Sequence, residues 1–207
     1  MNESIACVVP PRSQRLKSAT HITHEALDKR IMAADIFATR DQFAGFLRVQ
    51  YRFHRDIASL YDDQALAVVI PGLAERARLL RIANDLSDLG HRVPDIPQAP
   101  AATNLSLHRA MGWLYVAEGS NLGGAVLFKL ARERLGLNQL LGARHLAAHP
   151  EEAARHWRQF TAALDAAPMS EGQEQEAIEG ARHAFVTVRG YVEQELPLHG
   201  DVRVARQ

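Results

Sequence analysis

The chain has 207 residues, with 24 Lys or Arg against 24 Asp or Glu, so its formal net charge is zero. This balance argues against a protein held mainly by nucleic-acid phosphates or by an anionic membrane surface. With 47% apolar residues it can bury a sizeable core, and its single cysteine, Cys7, excludes an intramolecular disulfide and any multi-cysteine metal site within one chain.

The N-terminal segment contains a short apolar stretch, Ile5 to Val9, which two prolines end. A secretory signal needs a longer apolar run preceded by positive charge. The longest apolar stretch elsewhere is interrupted by Glu118 and Asn121 and is too short for a membrane span. We therefore expect a cytoplasmic protein with no membrane or nucleic-acid partner, and flexible ends at residues 1–14 and 197–207.

Apolar residues recur at helical spacing through most of the chain. We predict helices over 15–32, 41–63, 71–89, from 104 or 106 to 135, 151–164 and 170–196. Gly90 and Gly136 follow helices where a C-terminal cap favours glycine, and Ser170 with Gln173 has the form of a capping box. Because alternating strand patterns are nearly absent, we expect one all-α domain over residues 15–196.

His24 lies on the core-facing side of the first predicted helix. The apolar or small residues of that side are Leu16, Thr20, Thr23, Leu27 and Ile31. Asp28 follows one turn after His24 and Lys17 precedes it by two turns. A carboxylate one turn away can support a metal-bound imidazole, and a cation there could meet an acidic group of a ligand. For this segment alone, a core histidine bonded to nearby backbone is the commoner explanation.

Three glycines, Gly119, Gly123 and Gly124, fall within six residues of the long predicted helix. Each helical glycine costs about 1 kcal/mol relative to alanine, so the three cost roughly 3 kcal/mol. Such a cost suggests that the backbone bends there or that a ligand approaches it closely. Close packing of another helix on the face formed by Gly119 and Gly123 explains the pattern equally well.

Gln50 and His54 interrupt the apolar stripe of the second predicted helix, between Leu47 and Ile57. Burying such groups costs about 1 to 3 kcal/mol each unless they are hydrogen-bonded. They either bond to one another or to nearby backbone, or they hold water in a polar pocket.

These three features fit one design together. A histidine on one helix and a glycine-rich helix facing it would sandwich a flat macrocycle. His24 would be the axial ligand, and the glycines would leave the opposite iron position open for a diatomic gas.

The residues also resemble those of a known family. The segments RLKSATHITHEALD, GWLYVAEGSNLGGAVLFK and GARHLAAHP, the last followed by HWRQF, look like those of bacterial haem oxygenases that produce biliverdin. The resemblance runs from about Arg15 to Leu196, in the family's order and spacing. It implies an all-α fold in which haem lies between a proximal and a distal helix.

The resemblance implies roles for individual residues. His24 matches the proximal haem ligand and Asp28 the acidic residue that supports it, while Lys17 and Tyr115 match residues that bind the haem propionates. The residues that match the distal helix over the haem face are Gly119, Ser120, Asn121, Gly123 and Gly124. Bacterial relatives often carry alanine where this chain has Gly124, a departure that should loosen the distal helix without removing function.

Two further matches concern the distal pocket and the position of ring opening. Gln50 and His54 match polar residues near the family's distal water network. Lys17 with Tyr115 resembles the pattern of members that open the α-meso position of haem. Relatives that open other positions use a lysine later on the distal helix, where this chain has Leu130, so the resemblance implies the α isomer of biliverdin.

The family's chemistry makes haem both cofactor and substrate. The resemblance therefore implies cleavage of haem by O₂ to biliverdin, CO and iron, with electrons from a ferredoxin- or NAD(P)H-dependent reductase. Iron acquisition and chromophore supply to a bacterial phytochrome both remain open as the physiological role.

Two other classes of function compete with this interpretation. One is a non-catalytic protein that stores, transfers or senses haem, which would not need the costly open helix. The other is a thiamine-degrading or quinone-synthesis enzyme of similar architecture, but Cys7 is too near the N-terminus to be a good nucleophile. The sequence assigns no role to Arg144, His145 or His149.

Overall fold

The computed structural model describes residues 10–147 and 149–198. Its α-helices in chain order are α1 (Arg12–Ala33), α2 (Arg40–Asp56), α3 (Gln64–Val69), α4 (Leu79–Asp88), α5 (Leu107–Leu135), α6 (Pro150–Ala166) and α7 (Glu171–Glu195). Within these ranges no β-strand is formed, so the predicted all-α fold is confirmed. None of the described helices is long and apolar enough to cross a membrane.

The helix ends follow local rules that the sequence already indicated. The Ser106 side chain accepts a hydrogen bond from the backbone N–H of Arg109 and so begins α5. Gly136 ends α5 with φ of 67°, a left-handed conformation that glycine adopts without strain. The predicted capping box of Ser170 and Gln173 is present at the start of α7. Ser106 rather than Asn104 is therefore the N-cap of the long helix.

The middle of the chain departs from the predicted helices. The single helix predicted over 41–63 ends at Asp56, and a short 3-10 helix, Ala58–Asp62, follows it. Asp63 then caps α3, because its side chain accepts from the backbone N–H of Leu66. The predicted helix 71–89 is likewise shorter and begins only at Leu79.

α1 begins at Arg12, three residues before its predicted start, and is tied to the C-terminal half of the chain. The Arg12 guanidinium donates to the backbone oxygens of Leu164 and Ala167 and pairs with Glu174 at 2.8 Å. Residues 1–9 and 199–207 of the predicted flexible ends lie outside the described residues, as does Cys7. Flexibility of the ends and the domain limits 15–196 stay predictions.

α7 is the central helix, since it packs against α1, α2 and α5. Its contact with α5 is made through two glycines. A methyl group on Gly112 would lie 2.6 Å from the nitrogen of Ala181 and closer still to the carbonyl oxygen of Ala177. One on Gly180 would lie 2.9 Å from the Cα of Arg109 and closer still to its carbonyl oxygen. The two backbones therefore meet with no room for a side chain.

We predict that Gly112→Ala destabilises the fold, because the new methyl group meets backbone that cannot move aside. Overpacking of a well-filled core costs about 1–3 kcal/mol, and we expect a loss at the upper end of that range in urea unfolding. Gly190→Ala in α7 is the matched control, because its methyl group would meet nothing within 4 Å. It should gain up to about 1 kcal/mol from helix propensity. Equal stability of the two variants would contradict the close approach of α5 and α7.

Candidate functional site

His24 lies on α1 with 55% of its side chain exposed, although Leu16 and Leu27 of the same stripe are buried. The explanation as a core histidine bonded to backbone is therefore wrong. Its Nε2 atom lies 3.4 Å from Asp28 Oδ2, so the carboxylate one turn away is within reach. An imidazole that faces a carboxylate through one ring nitrogen can offer the other to a metal.

Phe185 of α7 contacts the His24 ring from the supporting side. The two ring centroids are 5.8 Å apart and the planes meet at 62°, an edge-on arrangement that favours one orientation of the imidazole. Lys17 lies exposed on α1, two turns before His24. Its ammonium group is thus accessible to an anionic group of a ligand.

α5 continues without interruption through the glycine stretch. A methyl group on Gly123 would meet nothing within 4 Å, and one on Gly119 would meet the Trp157 ring at 3.6 Å. One on Gly124 would lie 3.7 Å from the carbonyl oxygen of Leu146. All three positions have room for a side chain, so close helix packing does not explain these glycines. That packing occurs instead two turns earlier, at Gly112.

The other predicted residues of α5 differ in their surroundings. Tyr115 is buried, with its ring centroid 5.5 Å from that of Trp157 on α6. Burial raises the pKa of Tyr115, so its hydroxyl stays protonated and can donate a hydrogen bond. Ser120 donates to a carbonyl oxygen of its own helix at 2.7 Å, and Asn121 is half-buried.

α1 and α5, which carry the predicted proximal and distal residues, share their supporting helices. Both pack against α6 and α7, whereas direct packing of α1 on α5 is slight in the described ranges. Phe185 of α7 contacts His24, and Trp157 of α6 lies beside Gly119. The residues of the two predicted haem faces are thus held by a common pair of helices.

Gln50 and His54 lie on α2, where His54 is buried and Gln50 half-buried. His54 Nδ1 is buried without a hydrogen-bond partner among the described residues. Burial, reinforced by the nearby Arg78 and His145, lowers the pKa of His54 to about 3. The ring is therefore neutral at physiological pH, and its unpaired nitrogen is suited to hold a water molecule.

A cavity of about 410 Å³ lies against His54. Tyr51, Tyr61 and Arg78 contribute polar groups to its wall. Because a water molecule takes up about 30 Å³ in the liquid, the cavity can hold several. The cavity lies at the helix for which the sequence suggested a polar pocket, and apolar residues such as Leu79 and Ala83 make up much of its wall.

Glu118 lies on α5 directly before Gly119 and was noted in the sequence only as an interruption of an apolar run. It is buried, and its Oε2 pairs with Arg76 at 2.8 Å. The Tyr61 hydroxyl donates to its Oε1 at 3.4 Å. The signal for this cluster was a charged residue in an otherwise apolar stretch, but the sequence did not identify its partners.

Arg144 and His145, which the sequence left without a role, both contact Asp85 of α4. Asp85 is fully buried, and no local pattern singled it out because its partners lie about 60 residues later in the chain. His149 is exposed at the residue before α6.

The residues present are compatible with haem. In residues 10–147 and 149–198, no group of three or more His, Cys, Asp or Glu side chains is placed to hold a bare metal ion. Haem iron needs fewer protein ligands, because the macrocycle supplies four nitrogens. His24 offers an exposed imidazole, and the space beside Gly123 leaves room for a flat group against α5.

Comparisons with known proteins point to one family. The model of the family described as Heme oxygenase matches residues 11–194. The chain is 45% identical over 174 residues to Heme oxygenase PigA of Pseudomonas aeruginosa, covering 84% of this chain and 87% of that protein. It is 32% identical over 146 residues to a Heme oxygenase of Xanthomonas campestris, covering 70% and 85%.

A solved structure also supports membership of this family. The chain superimposes on the NO- and CO-bound heme oxygenase from Neisseria meningitidis with a TM-score of 0.85 and 36% identity. The superposition covers 93% of this chain and 96% of that one.

We predict that stability falls with acidification below about pH 6.5 and that His54 causes part of the fall. Unfolded His54 binds a proton near pH 6.5, whereas the native ring stays neutral to about pH 3. The unfolded state is therefore favoured by about 1.4 kcal/mol for each pH unit below 6.5. In urea unfolding at several pH values, the free energy of unfolding of His54→Gln should fall less steeply with acidification than that of the wild type. An unchanged slope would contradict the buried neutral ring.

Proposed function

The chain belongs to the haem oxygenase family and is an enzyme that acts on haem, and from this premise we propose the reaction and its residues. The protein cleaves haem with O₂ and supplied electrons to biliverdin, CO and ferrous iron, and it opens the α-meso position. The observation that supports the site most directly is an exposed His24 combined with a helical Gly123 that faces open space.

On the proximal side, His24 binds the iron through one ring nitrogen, and Asp28 accepts a hydrogen bond from the other. Phe185 keeps the ring from turning, since it contacts the imidazole edge-on. When bound, haem supplies the iron that activates O₂ and the ring carbon that is attacked. The chain's own contribution is to hold that iron and to shape the face opposite His24.

On the distal side, Gly119 and Gly123 allow haem to approach the α5 backbone, with Ser120 and Asn121 beside them. A methyl group at Gly124 would project toward Leu146 and not in the direction of Gly123. Close approach to backbone excludes bulky side chains and leaves space only for a diatomic gas and water.

Protons reach this face through water held near Gln50 and His54. The pKa of His54 is lowered to about 3 by burial, so the ring does not act as a charged acid at neutral pH. It accepts or donates hydrogen bonds and orients water in the adjoining cavity. Water oriented by these residues, rather than a strongly acidic side chain, would then be the proton donor at this face.

Lys17 and Tyr115 fix the rotation of the macrocycle by binding its propionates. The exposed Lys17 supplies a cation, and the Tyr115 hydroxyl, whose pKa is raised by burial, donates a hydrogen bond. With Leu130 in place of the lysine that other members use as an anchor, these two residues would set the rotation of bound haem and so the meso position that is opened. The expected product is therefore the α isomer.

Electrons come from a separate ferredoxin- or NAD(P)H-dependent reductase. Iron release and bilin supply to a bacterial phytochrome are the two uses that fit the products, and a cytoplasmic location stays a prediction.

The reaction is tested by adding haemin to the purified protein, supplying a reductant in air with catalase present, and recording the visible spectrum. We expect the Soret band to disappear while a biliverdin spectrum appears, and chromatography of the product should identify the α isomer. A haem complex that persists unchanged would contradict turnover and would support the non-catalytic haem-binding alternative.

We predict that His24→Ala abolishes the axial ligation signature in the haem spectrum and lowers turnover by more than the 10–100-fold that loss of an outer-shell partner costs. Added imidazole should restore the spectrum. His21→Ala is the matched control, because His21 is equally exposed and lies 3.4 Å from Glu25 on the same helix. If both variants behave alike, His24 is not the ligand.

We predict that alanine at Gly123 lowers haem binding and turnover, whereas alanine at the adjacent Gly124 leaves both unchanged. Gly123→Ala and Gly124→Ala should each raise stability by up to about 1 kcal/mol, because both remove a helical glycine. Gly123→Ala should also weaken haem binding and turnover, since its methyl group projects into the open space. Gly124→Ala should retain both, since its methyl group makes ordinary contact with Leu146. Spectroscopic haem titration and turnover assays separate the two, and equal effects would place the haem face elsewhere.

A further inference from the structure

Asp85 of α4 is a fully buried carboxylate that binds the segment 142–147, which lies between α5 and α6. Its Oδ1 accepts from the backbone N–H of Arg144 and from the guanidinium of the same residue, each at 3.0 Å. Its Oδ2 accepts from the backbone N–H of His145 at 2.9 Å and from Nδ1 of that ring at 2.7 Å. Four hydrogen bonds and one cation thus compensate a charge that burial alone would disfavour.

Two further hydrogen bonds, and an ion pair of Arg144 with Asp88 at 2.6 Å, hold the same segment. Arg78 donates to the carbonyl oxygen of His145 at 2.7 Å, and Asp88 accepts from the backbone N–H of Gly142 at 2.8 Å. Burial lowers the pKa of His145 despite its bond to Asp85, so the neutral ring donates through Nδ1. The backbone of 142–147 is therefore fixed to α4 at several successive residues.

The segment carries Leu146 to the side of α5 on which Gly124 lies, about 100° around the helix from Gly123. A methyl group on Gly124 would lie 3.7 Å from the Leu146 carbonyl oxygen and 3.9 Å from its Cδ2. At Gly123, one residue earlier, nothing lies within 4 Å. This part of α5 thus has Leu146 beside it at Gly124 and is open at Gly123.

We propose that Asp85 is a positioning residue for the distal face of the haem site. By fixing 142–147 to α4, it sets where Leu146 meets α5 and therefore how far Gly119 and Gly123 stand from the macrocycle. The inference rests on the proposed function, because it takes the open face of α5 as the haem face. Asp85 touches no part of that face and acts through the helix alone.

The test compares Asp85→Asn with Asp56→Asn. Asp56 is a matched control because it is also a buried aspartate and also accepts from a backbone N–H, that of Ala101 at 3.1 Å. Its other partners are the Tyr191 hydroxyl of α7 and the Arg55 guanidinium, so their loss destabilises the fold without disturbing 142–147. Both variants keep the side-chain volume and replace a charge by an amide.

The first measurement is amide hydrogen exchange on the haem-free proteins. We expect Asp85→Asn to speed exchange about tenfold in residues 119–130 and 142–147, and Asp56→Asn to leave both ranges at the wild-type rate. Unchanged exchange in Asp85→Asn, or equal acceleration in Asp56→Asn, would overturn the proposal.

The second measurement is haem turnover. We expect kcat of Asp85→Asn to fall about tenfold, as for loss of an outer-shell partner, while its affinity for haem stays near the wild-type value because His24 is intact. Leu146→Ala should reproduce both the exchange and the kcat effects while Asp85 keeps its partners. This variant replaces Asp85→Asn in the test if Asp85→Asn does not fold. If Leu146→Ala changes neither, the proposal is wrong.

Failure of the proposed function can be distinguished from failure of the inference about Asp85. If the wild-type protein binds haem without turnover, the proposed reaction is contradicted, whereas the exchange comparison is made without haem and still decides whether Asp85 positions α5.

Discussion

α5 and α7 approach one another so closely that neither Gly112 nor Gly180 has room for a methyl group. Backbone atoms of one helix occupy the space in which a side chain of the other would begin, so the relative position of the two axes is tightly restricted. Since α7 also packs against α1 and places Phe185 on His24, the contact ties His24 and the first half of α5 to one support. The geometry of the proposed site thus depends on two glycines that belong to neither proposed haem face.

Glycine serves a second and opposite purpose about three turns further along α5. At Gly112 the missing side chain is replaced by another helix, whereas at Gly123 it leaves open space. A helix that is open on one side must be supported on the other. Here buried polar groups provide that support: Glu118 pairs with Arg76, and Asp85 acts through 142–147. Glu118 and Asp85 are both buried, and each is paired with an arginine.

The sequence predicted those parts of the structure that depend on neighbours a few residues away. The capping box at Ser170, a cap at Asn104 or Ser106 and the helical periods follow from local spacing. Local spacing left open whether Gly123 meets a ligand or another helix. Contacts between distant segments were not predictable in this way. Gly112 carries no local mark of its contact with α7, and Asp85 resembles any polar residue of a short helix until 142–147 folds onto it. The sequence also placed His24 on a core-facing stripe, because helical period gives a direction but not the depth to which a neighbouring helix covers it.

The degree of burial determines which chemical role each histidine can have. His54 and His145 are buried with lowered pKa values, so they remain neutral and serve as hydrogen-bonding groups within the fold. His21 and His24 are both exposed on α1, each 3.4 Å from a carboxylate one turn later, so neither exposure nor the carboxylate distance distinguishes them. The distinction comes from α7, where Phe185 lies edge-on against His24. A ligand needs a ring that is accessible yet held in one orientation, and a distant aromatic contact meets that requirement at His24.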